Sequence, residues 1–313
     1  MPISPPDLLE EIRDRITTHA RPDMSTSIDG VLVSKTTTGP ETPDYSLTEP
    51  LLVVMAQGGK RLLLGDQAHE YRAGQYLLVT ANLPVTGHFI ETSATRPALG
   101  MGLVLRSATV ADLALQAPAR RPTVGGPGAG GSGTTAMATG EADAELLDAV
   151  VRMLRLLDRP ADARVLAPLI EREILWRVLT GPQGHVLRQI GLADGDLSHI
   201  ARAIGWIREH YAEPMRIDDL ADLCGLSPSA FHRHFRTVTA LSPLQFQKRI
   251  RLQAARAHVV SRSGDVASVG HLVGYDSPSQ FSREYRRLFG APPAQDAQRL
   301  RLDPDAMAVM APL

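Results

Sequence analysis

The chain lacks two features that would place it in a secreted or a membrane class. Its 313 residues contain one cysteine, Cys224, so a single chain can form neither an internal disulfide nor a thiolate metal cage. It has no run of about 18 or more apolar residues, and its start carries acids and prolines instead of a basic segment followed by an apolar one. We therefore expect no membrane insertion, no export and a cytoplasmic location.

Motifs for phosphate, dinucleotide or nucleophilic chemistry are also missing. The glycine-rich stretch 125–133 lacks the preceding strand, the following helix and the Lys-Ser/Thr pair that a phosphate-binding loop requires. No Ser-His-Asp order and no dinucleotide fingerprint stands out. We expect no cofactor, no catalytic residue and no enzyme activity.

The net charge is small as well, at −1, but it is unevenly distributed. Between Pro228 and Arg301, 12 basic residues stand against 4 acidic ones, which gives +8 and leaves −9 for the remainder. This asymmetry is typical of a basic surface that contacts a polyanion, although a solvated helical surface gives the same count. Charge alone therefore does not decide the function.

Apolar periodicity divides the chain into a β region and a helical region. It predicts an amphipathic helix from Asp7 to Thr18, followed by short strands, separated by turns such as Gly58-Gly59, that end near Leu105. Segment 122–140 holds seven glycines in nineteen residues and predicts a flexible linker. Helices follow, beginning with Ala144–Leu157 and Pro168–Leu179.

The helical region contains an internal repeat with a spacing of about 50 residues. Residues 220–236 align with residues 269–286, with one residue inserted in the second turn. Each copy has a short apolar helix, a glycine (Gly225 or Gly274) that can take a positive φ, and a Ser-Pro pair that caps and opens a second helix. This arrangement predicts two helix-turn-helix units.

The second helix of each unit has a buried and an exposed face. Phe231 and Phe235 predict the buried face of the first unit, and Phe281 and Tyr285 predict that of the second. The same exposed arginine recurs in both copies at the same offset from a buried aromatic. The interpretation that these arginines are only solvated charges on a helix surface is therefore the weaker one. Arg233 and Arg283 are placed to pair with guanine O6 and N7, while flanking side chains can hold phosphates. The candidate DNA-binding residues are Ser229, His232, Arg233, Arg236, Ser279, Ser282, Arg283 and Arg286.

A continuous helix is predicted from Pro243 to Val260, between the two copies. Such a helix would hold the second helices apart so that they could enter successive major grooves about 34 Å apart. We expect its core side to carry Leu244, Ile250, Leu252 and Ala255, and its outer side to carry Lys248, Arg249, Arg251 and Arg256.

Residues from about Ala203 to Leu302, above all segment 274–290 with the Ala-Pro-Pro that follows, resemble the DNA-binding domain of the AraC/XylS family of transcription regulators. Gly270 departs from the pattern by replacing an alanine inside a helix, which costs about 1 kcal/mol. Upstream, Gly59–Gly65 and Ala73–Val79 resemble the cupin-like N-terminal domain of one branch of that family. The helices from Ala144 to Leu192 resemble its connecting segment, which often supports dimerisation.

Together these features predict an α+β multidomain chain with an N-terminal cupin-like β-barrel, a helical connector and a C-terminal all-α domain with two helix-turn-helix units. The predicted boundaries are 1–27 for an N-terminal helix and arm, 28–121 for the sensor or dimerisation domain, 122–140 for the linker, 141–195 for the connector, 196–302 for the DNA-binding domain and 303–313 for a tail.

The resemblance implies a sequence-specific transcription regulator, and it favours an activator controlled by a small-molecule effector at the barrel. The partners it implies are double-stranded promoter DNA, RNA polymerase and a second copy of the chain in a homodimer.

Two alternatives stay open. One is a cupin-type metalloenzyme whose ligands would be His69, Glu70 and His88, but the tight His-x-His pair of such sites is missing, so we expect no metal. The other is a regulator whose barrel serves only dimerisation, which a barrel filled by its own side chains would support.

Overall fold

The computed structural model describes residues 4–37, 39, 43–117, 135–191, 196–261 and 266–302. Most of the predicted glycine-rich linker and the predicted tail, residues 303–313, lie outside these ranges. The described chain begins with helix α1 (Pro5–His19), continues through nine strands and ends in a helical region. This order agrees with the predicted division into β and helical parts.

The nine strands form two antiparallel sheets. The first sheet has the order β1 (Val31–Thr36), β8 (Ala98–Val104), β3 (Leu51–Gln57), β6 (Gln75–Val79) and β9 (Met137–Glu141). The second has the order β2 (Asp44–Leu47), β7 (Pro84–Ile90), β4 (Gly59–Leu64) and β5 (Gln67–Arg72). Among the described strands no ladder joins the two sheets, so the predicted cupin-like β-barrel takes the form of two antiparallel sheets that do not close into a barrel.

The two sheets are separated at Gly58, which lies between β3 and β4. Its φ of +73° belongs to the left-handed region, which glycine adopts without a steric cost. The chain therefore turns sharply after β3 and enters the second sheet instead of extending the first.

Strand β9 corrects the predicted linker, which was placed as far as Gly140. Met137–Glu141 pairs antiparallel with Val79–Gln75, so the end of the glycine-rich segment is part of the first sheet. Glycine is needed at position 140 of this strand, because a Cβ there would lie 2.5 Å from the Tyr76 ring. Gly140, one of the glycines that suggested a flexible segment, instead makes room for an aromatic ring.

Between β8 and the C-terminal part, the described residues form four further α-helices. They are α2 (Ser107–Gln116), α3 (Ala144–Arg155), α4 (Pro160–Thr180) and α5 (Gly184–Gly191). The sequence did not predict α2, and it placed the start of α4 at Pro168, whereas Pro160 occupies the first turn and Pro168 lies inside the helix. Helix α1 packs on α3 and the sheet through the buried Leu8, Ile12 and Ile16, so this helix belongs to the core.

In the C-terminal part, the described residues form seven helices. They are α6 (Asp196–Glu209), α7 (Ile217–Cys224), α8 (Pro228–Thr239), α9 (Pro243–Ser261), α10 (Val266–Leu272), α11 (Pro278–Phe289) and α12 (Pro293–Arg301). Within the described ranges, no helix combines the length and the apolar character that crossing a bilayer requires.

Helix α9 runs as predicted, but two of its side chains point the other way. Leu244 is 51% exposed, and the buried residue of that turn is Phe246. Arg256, expected outside, is 6% exposed because it forms an ion pair with Asp296, a residue 40 positions away on α12. Helical spacing alone could not reveal a partner at that distance.

The N-terminal sheets pack directly against the C-terminal helices. Gln253 on α9 donates a hydrogen bond from Nε2 to the Ser46 carbonyl of β2 at 3.0 Å. Gly65, in the turn between β4 and β5, lies so close to α8 that a Cβ would be 2.6 Å from the Ala240 carbonyl oxygen. The two parts therefore share an interface in this structure.

Candidate DNA-binding surface

The first helix-turn-helix unit consists of α7 and α8. Helix α7 ends at Gly225, which has the left-handed φ of +67° that the tight turn needs. The Ser227 hydroxyl then caps α8 by accepting a hydrogen bond from the Ala230 N–H, and Pro228 opens the helix. Phe231 and Phe235 are fully buried, so the local signals orient the helix as predicted.

The second unit, α10 and α11, repeats this construction. Gly274 has a φ of +87°, and a Cβ there would lie 2.2 Å from the Ala212 carbonyl oxygen, so only glycine fits. Ser277 caps α11 by accepting a hydrogen bond from the Gln280 N–H. Phe281 and Tyr285 are fully buried. Both units thus present one face of their second helix to solvent.

Gly270, the departure noted in the sequence, has a packing role. A Cβ at this position would lie 3.1 Å from the Phe281 ring, closer than ordinary van der Waals contact. The aromatic ring therefore packs directly on the backbone of α10. This contact offsets part of the helix-propensity cost that a glycine carries.

The candidate residues occupy the exposed faces of α8 and α11. Seven of them are exposed and Ser282 is partly buried. Among the described residues, none of the arginines Arg233, Arg236, Arg283 and Arg286 forms an ion pair with a carboxylate. Their hydrogen bonds are long and local, such as the bond that Arg283 Nε donates to the Ser279 carbonyl at 3.3 Å. Their guanidinium groups are therefore available to an external anion.

Two residues on α11 were missed by the sequence analysis. Arg287 lies one turn beyond Arg283, and Gln280 lies near the start of the helix; both are exposed. The equivalent positions of α8 are Thr237 and Ala230, so the repeat did not call attention to them. The helical angle that selected Arg283 would have selected Arg287 too.

A buried polar cluster fixes the second unit to α9 and α12. Asp296 is fully buried and accepts hydrogen bonds from Arg256 Nε at 2.8 Å and from the Tyr285 hydroxyl at 2.9 Å. Burial would raise the pKa of Asp296, but the hydrogen bonds and the charge of Arg256 outweigh it and hold the pKa below its usual range. Helix α11 is thereby held by an ionised carboxylate in the core.

The three residues considered as metal ligands do not converge. In the sheet register His69 lies opposite Leu62, whereas Glu70 and His88 lie opposite Arg61, so His69 is on the other face. Glu70 is engaged by Arg61 and Arg72, and burial lowers the pKa of His69. Within the part of the chain that the structure describes, no group of three or more His, Cys, Asp or Glu residues could hold a metal ion.

The fold and this surface define a DNA-binding protein with two helix-turn-helix units on one chain. A family model for the AraC-type transcriptional regulator N-terminus matches residues 27–186, and a model for a helix-turn-helix domain matches residues 220–299. The first match covers more than half of the chain. The chain belongs to the AraC family of transcription regulators.

Among curated proteins, the chain is similar to the HTH-type transcriptional activator RhaS. It is 31% identical to RhaS of Escherichia fergusonii over 160 residues, which is 50% of this chain and 56% of that protein. It is 27% identical to RhaS of Salmonella schwarzengrund over 151 residues, 47% of this chain and 53% of that protein. The chain thus spans about half the length of the curated relatives it matches.

Among solved structures, the fold is similar to that of ToxT from Vibrio cholerae. An apo form matches with a TM-score of 0.55 and 8% identity, covering 88% of this chain and 99% of ToxT. An unsaturated fatty acid-bound wild-type form matches with a TM-score of 0.55 and 9% identity, covering 88% and 97%. At this identity the likeness concerns the fold.

Proposed function

We propose that this chain binds specific promoter sequences through α8 and α11. One observation carries the proposal. The same exposed arginine pattern, without carboxylate partners among the described residues, recurs on the second helix of both units. Salt-bridged surface arginines would already be neutralised, whereas these remain free to meet bases and phosphates.

In this proposal Arg233 and Arg283 contact guanine edges, because a guanidinium can donate two parallel hydrogen bonds to O6 and N7. Arg236 and Arg286, with Ser229 and Ser279, contact phosphates. His232 and Ser282 lie at the border of the surface, where they reach base edges. Helix α9, with 19 residues and hence about 28 Å in length, spaces the two units.

The experiment that tests this proposal is a titration of the full chain against the DNA upstream of its own gene. Random competitor DNA is present, and the titration is made at two salt concentrations. Binding that survives the competitor, with a protected site in footprinting, is the expected result. Arg21→Ala, an exposed arginine far from both units in sequence, serves as the charge control. Binding that random DNA abolishes at both salt concentrations would contradict sequence-specific recognition.

We further propose that the chain is a cytoplasmic activator that works as a homodimer, contacts RNA polymerase and responds to a small-molecule effector bound by its N-terminal part. Support comes from the RhaS relatives, which are named activators, and from ToxT, one structure of which is fatty acid-bound. The test is a promoter reporter with and without the intact gene. Lower expression of the reporter in the presence of the protein would show that it is a repressor and not an activator. The domain boundaries given above stay predictions.

One observation favours the alternative in which the interior of the sheets binds nothing. Met55, Leu62, Leu64, Tyr71, Leu77 and Val79 are at most 3% exposed and belong to one packed cluster between and beside the sheets. Large side chains thus occupy much of the space that an effector inside the β region would need. We therefore expect the effector site to lie outside the interior of the sheets.

A further inference from the structure

A cleft of about 340 Å³ opens between helix α4 and the loop that precedes β1. Its size lies at the lower end of the range found for small-molecule sites. All of its lining residues belong to the N-terminal and connecting parts of the chain, and none lies on α8 or α11. It therefore differs in location from the proposed DNA-binding surface.

The floor of this cleft is apolar and well packed. Val31 and Met153 are at most 2% exposed, and Ile28, Ala163 and Ala167 are at most 8% exposed. Alanines on α4 leave room where larger side chains would fill the space. Such a floor favours a compact apolar group by removing it from water.

One end of the cleft carries a charge that is already paired. Arg106 donates from Nη1 to both carboxylate oxygens of Glu171, at 2.9 and 3.2 Å, and from Nη2 to Asp29 Oδ2 at 2.7 Å. The Glu171 side chain is only 10% exposed, whereas the Arg106 side chain is 42% exposed, so the carboxylate of Glu171 is the withdrawn partner of this ion pair. A ligand gains little from a charged group at this end.

The other end carries a charge that is not paired. Arg164 lines the cleft on α4, two turns before Glu171, so the backbone positions of the two residues are about 10 Å apart along the helix axis. Within the described residues Arg164 has no hydrogen-bond or ion-pair partner. Its guanidinium offers a two-pronged donor that suits a carboxylate.

From these contacts we infer that the cleft binds a small monocarboxylate with a compact apolar body, its carboxylate on Arg164 and its body on the floor formed by Val31, Met153 and Ala167. The volume of about 340 Å³, and a spacing of about 10 Å between positions 164 and 171 along α4, suit a body no larger than a single ring or a short branched chain. Because the ligand would contact both the loop before β1 and α4, it would tie the first sheet to the connecting helices. Binding of this ligand is independent of the proposed function. Only its role as an effector rests on the proposed function.

Binding is tested on the full chain without DNA, by ligand-observed NMR. The probes are phenylacetate, 3-phenylpropionate and 4-methylpentanoate, each beside its neutral amide. We expect the acids to bind at least about tenfold more tightly than the amides, and Arg164→Gln to remove most of that difference. Arg159→Ala, which changes an exposed arginine that does not line the cleft, should leave binding unchanged.

A second variant, Ala167→Phe, fills the floor and should abolish binding of the acids and amides alike; its melting temperature shows whether it has folded. If no acid binds the wild-type chain up to about 10 mM, or if Arg164→Gln binds the acids as well as the wild type does, the inference is overturned. Since no DNA is present, failure here leaves the DNA-binding proposal intact. If the chain fails to recognise DNA but binds the acids, the cleft is still a ligand site, and only the role of the ligand as an effector is lost.

Discussion

The guanidinium of Arg256 lies over the ring of Tyr45, 4.9 Å from its centroid, and over Phe289 at 4.7 Å. Tyr45 belongs to β2, whereas Arg256 belongs to α9 and Phe289 to α11, the second helix of the second helix-turn-helix unit. Tyr45 and Phe289 also meet edge to face with ring centroids 4.8 Å apart. A side chain from the N-terminal sheets thus completes the packing of the DNA-binding part.

We expect Tyr45→Ala to loosen this interface. An aromatic pair and a cation–π contact each contribute about 1 kcal/mol, so the loss should be about 1 to 2 kcal/mol. Hydrogen exchange should then become faster in β2 and in α9. Tyr45→Phe retains the ring and serves as the control. If exchange in α9 is the same in Tyr45→Ala and the wild type, the two parts are not coupled through this residue.

Removing the buried partner of Asp296 should be far more harmful than removing its exposed partner. Arg256→Ala leaves a fully buried carboxylate without its main counter-charge, which typically costs about 3 to 5 kcal/mol. Arg299, also bound to Asp296, is 59% exposed, so Arg299→Ala should cost less than about 1 kcal/mol. Urea unfolding followed in the C-terminal helices measures both. Similar costs for the two variants would mean that burial does not govern this cluster.

The two turn glycines provide a matched pair. Gly225→Ala places a Cβ in open space and should cost only the left-handed strain, about 1 kcal/mol. Gly274→Ala carries the same strain and also brings its Cβ to 2.2 Å from the Ala212 carbonyl oxygen. We therefore expect the second substitution to lower the stability clearly more than the first, as measured by thermal unfolding. Equal shifts in Tm would show that the backbone near Ala212 yields freely.

Acid should remove one specific stabilising contribution near the N-terminus. Hydrogen bonds from Arg155, joined by those from Arg15, lower the pKa of Glu11 from 4.5 to about 2. A carboxyl group whose pKa is lower in the folded state stabilises the fold above its unfolded pKa and stops doing so as the pH falls through the folded value.

The stability difference between the wild type and Glu11→Gln should therefore be full near neutral pH and should shrink between about pH 4.5 and pH 2. Glu10→Gln, at an exposed neighbouring position, is the control for the change in charge. Denaturant unfolding at a series of pH values provides the measurement. A difference that stays constant over this range would exclude the proposed role of Glu11.

The parts of the fold that could be predicted are those set by neighbours in sequence. The Ser-Pro caps, the turn glycines and the aromatic pairs of α8 and α11 act within one or two helical turns, so the repeat revealed the exposed faces of both helices. Arg256 could not be placed, because its burial depends on Asp296 and Tyr45, which are far away in the chain. Likewise, β9 was hidden because its pairing with β6 and the Tyr76 ring, not its own composition, makes it a strand.

The most direct test of the central claim compares three arginine variants on the footprinted site and on random DNA. Arg233→Ala and Arg283→Ala should each weaken binding to the site by about 1 to 3 kcal/mol and change binding to random DNA little, because they read bases. Arg286→Ala should weaken both by similar amounts and reduce the salt dependence, because it contacts phosphate. Equal losses on both DNAs for all three variants would contradict the claim that these helices read sequence.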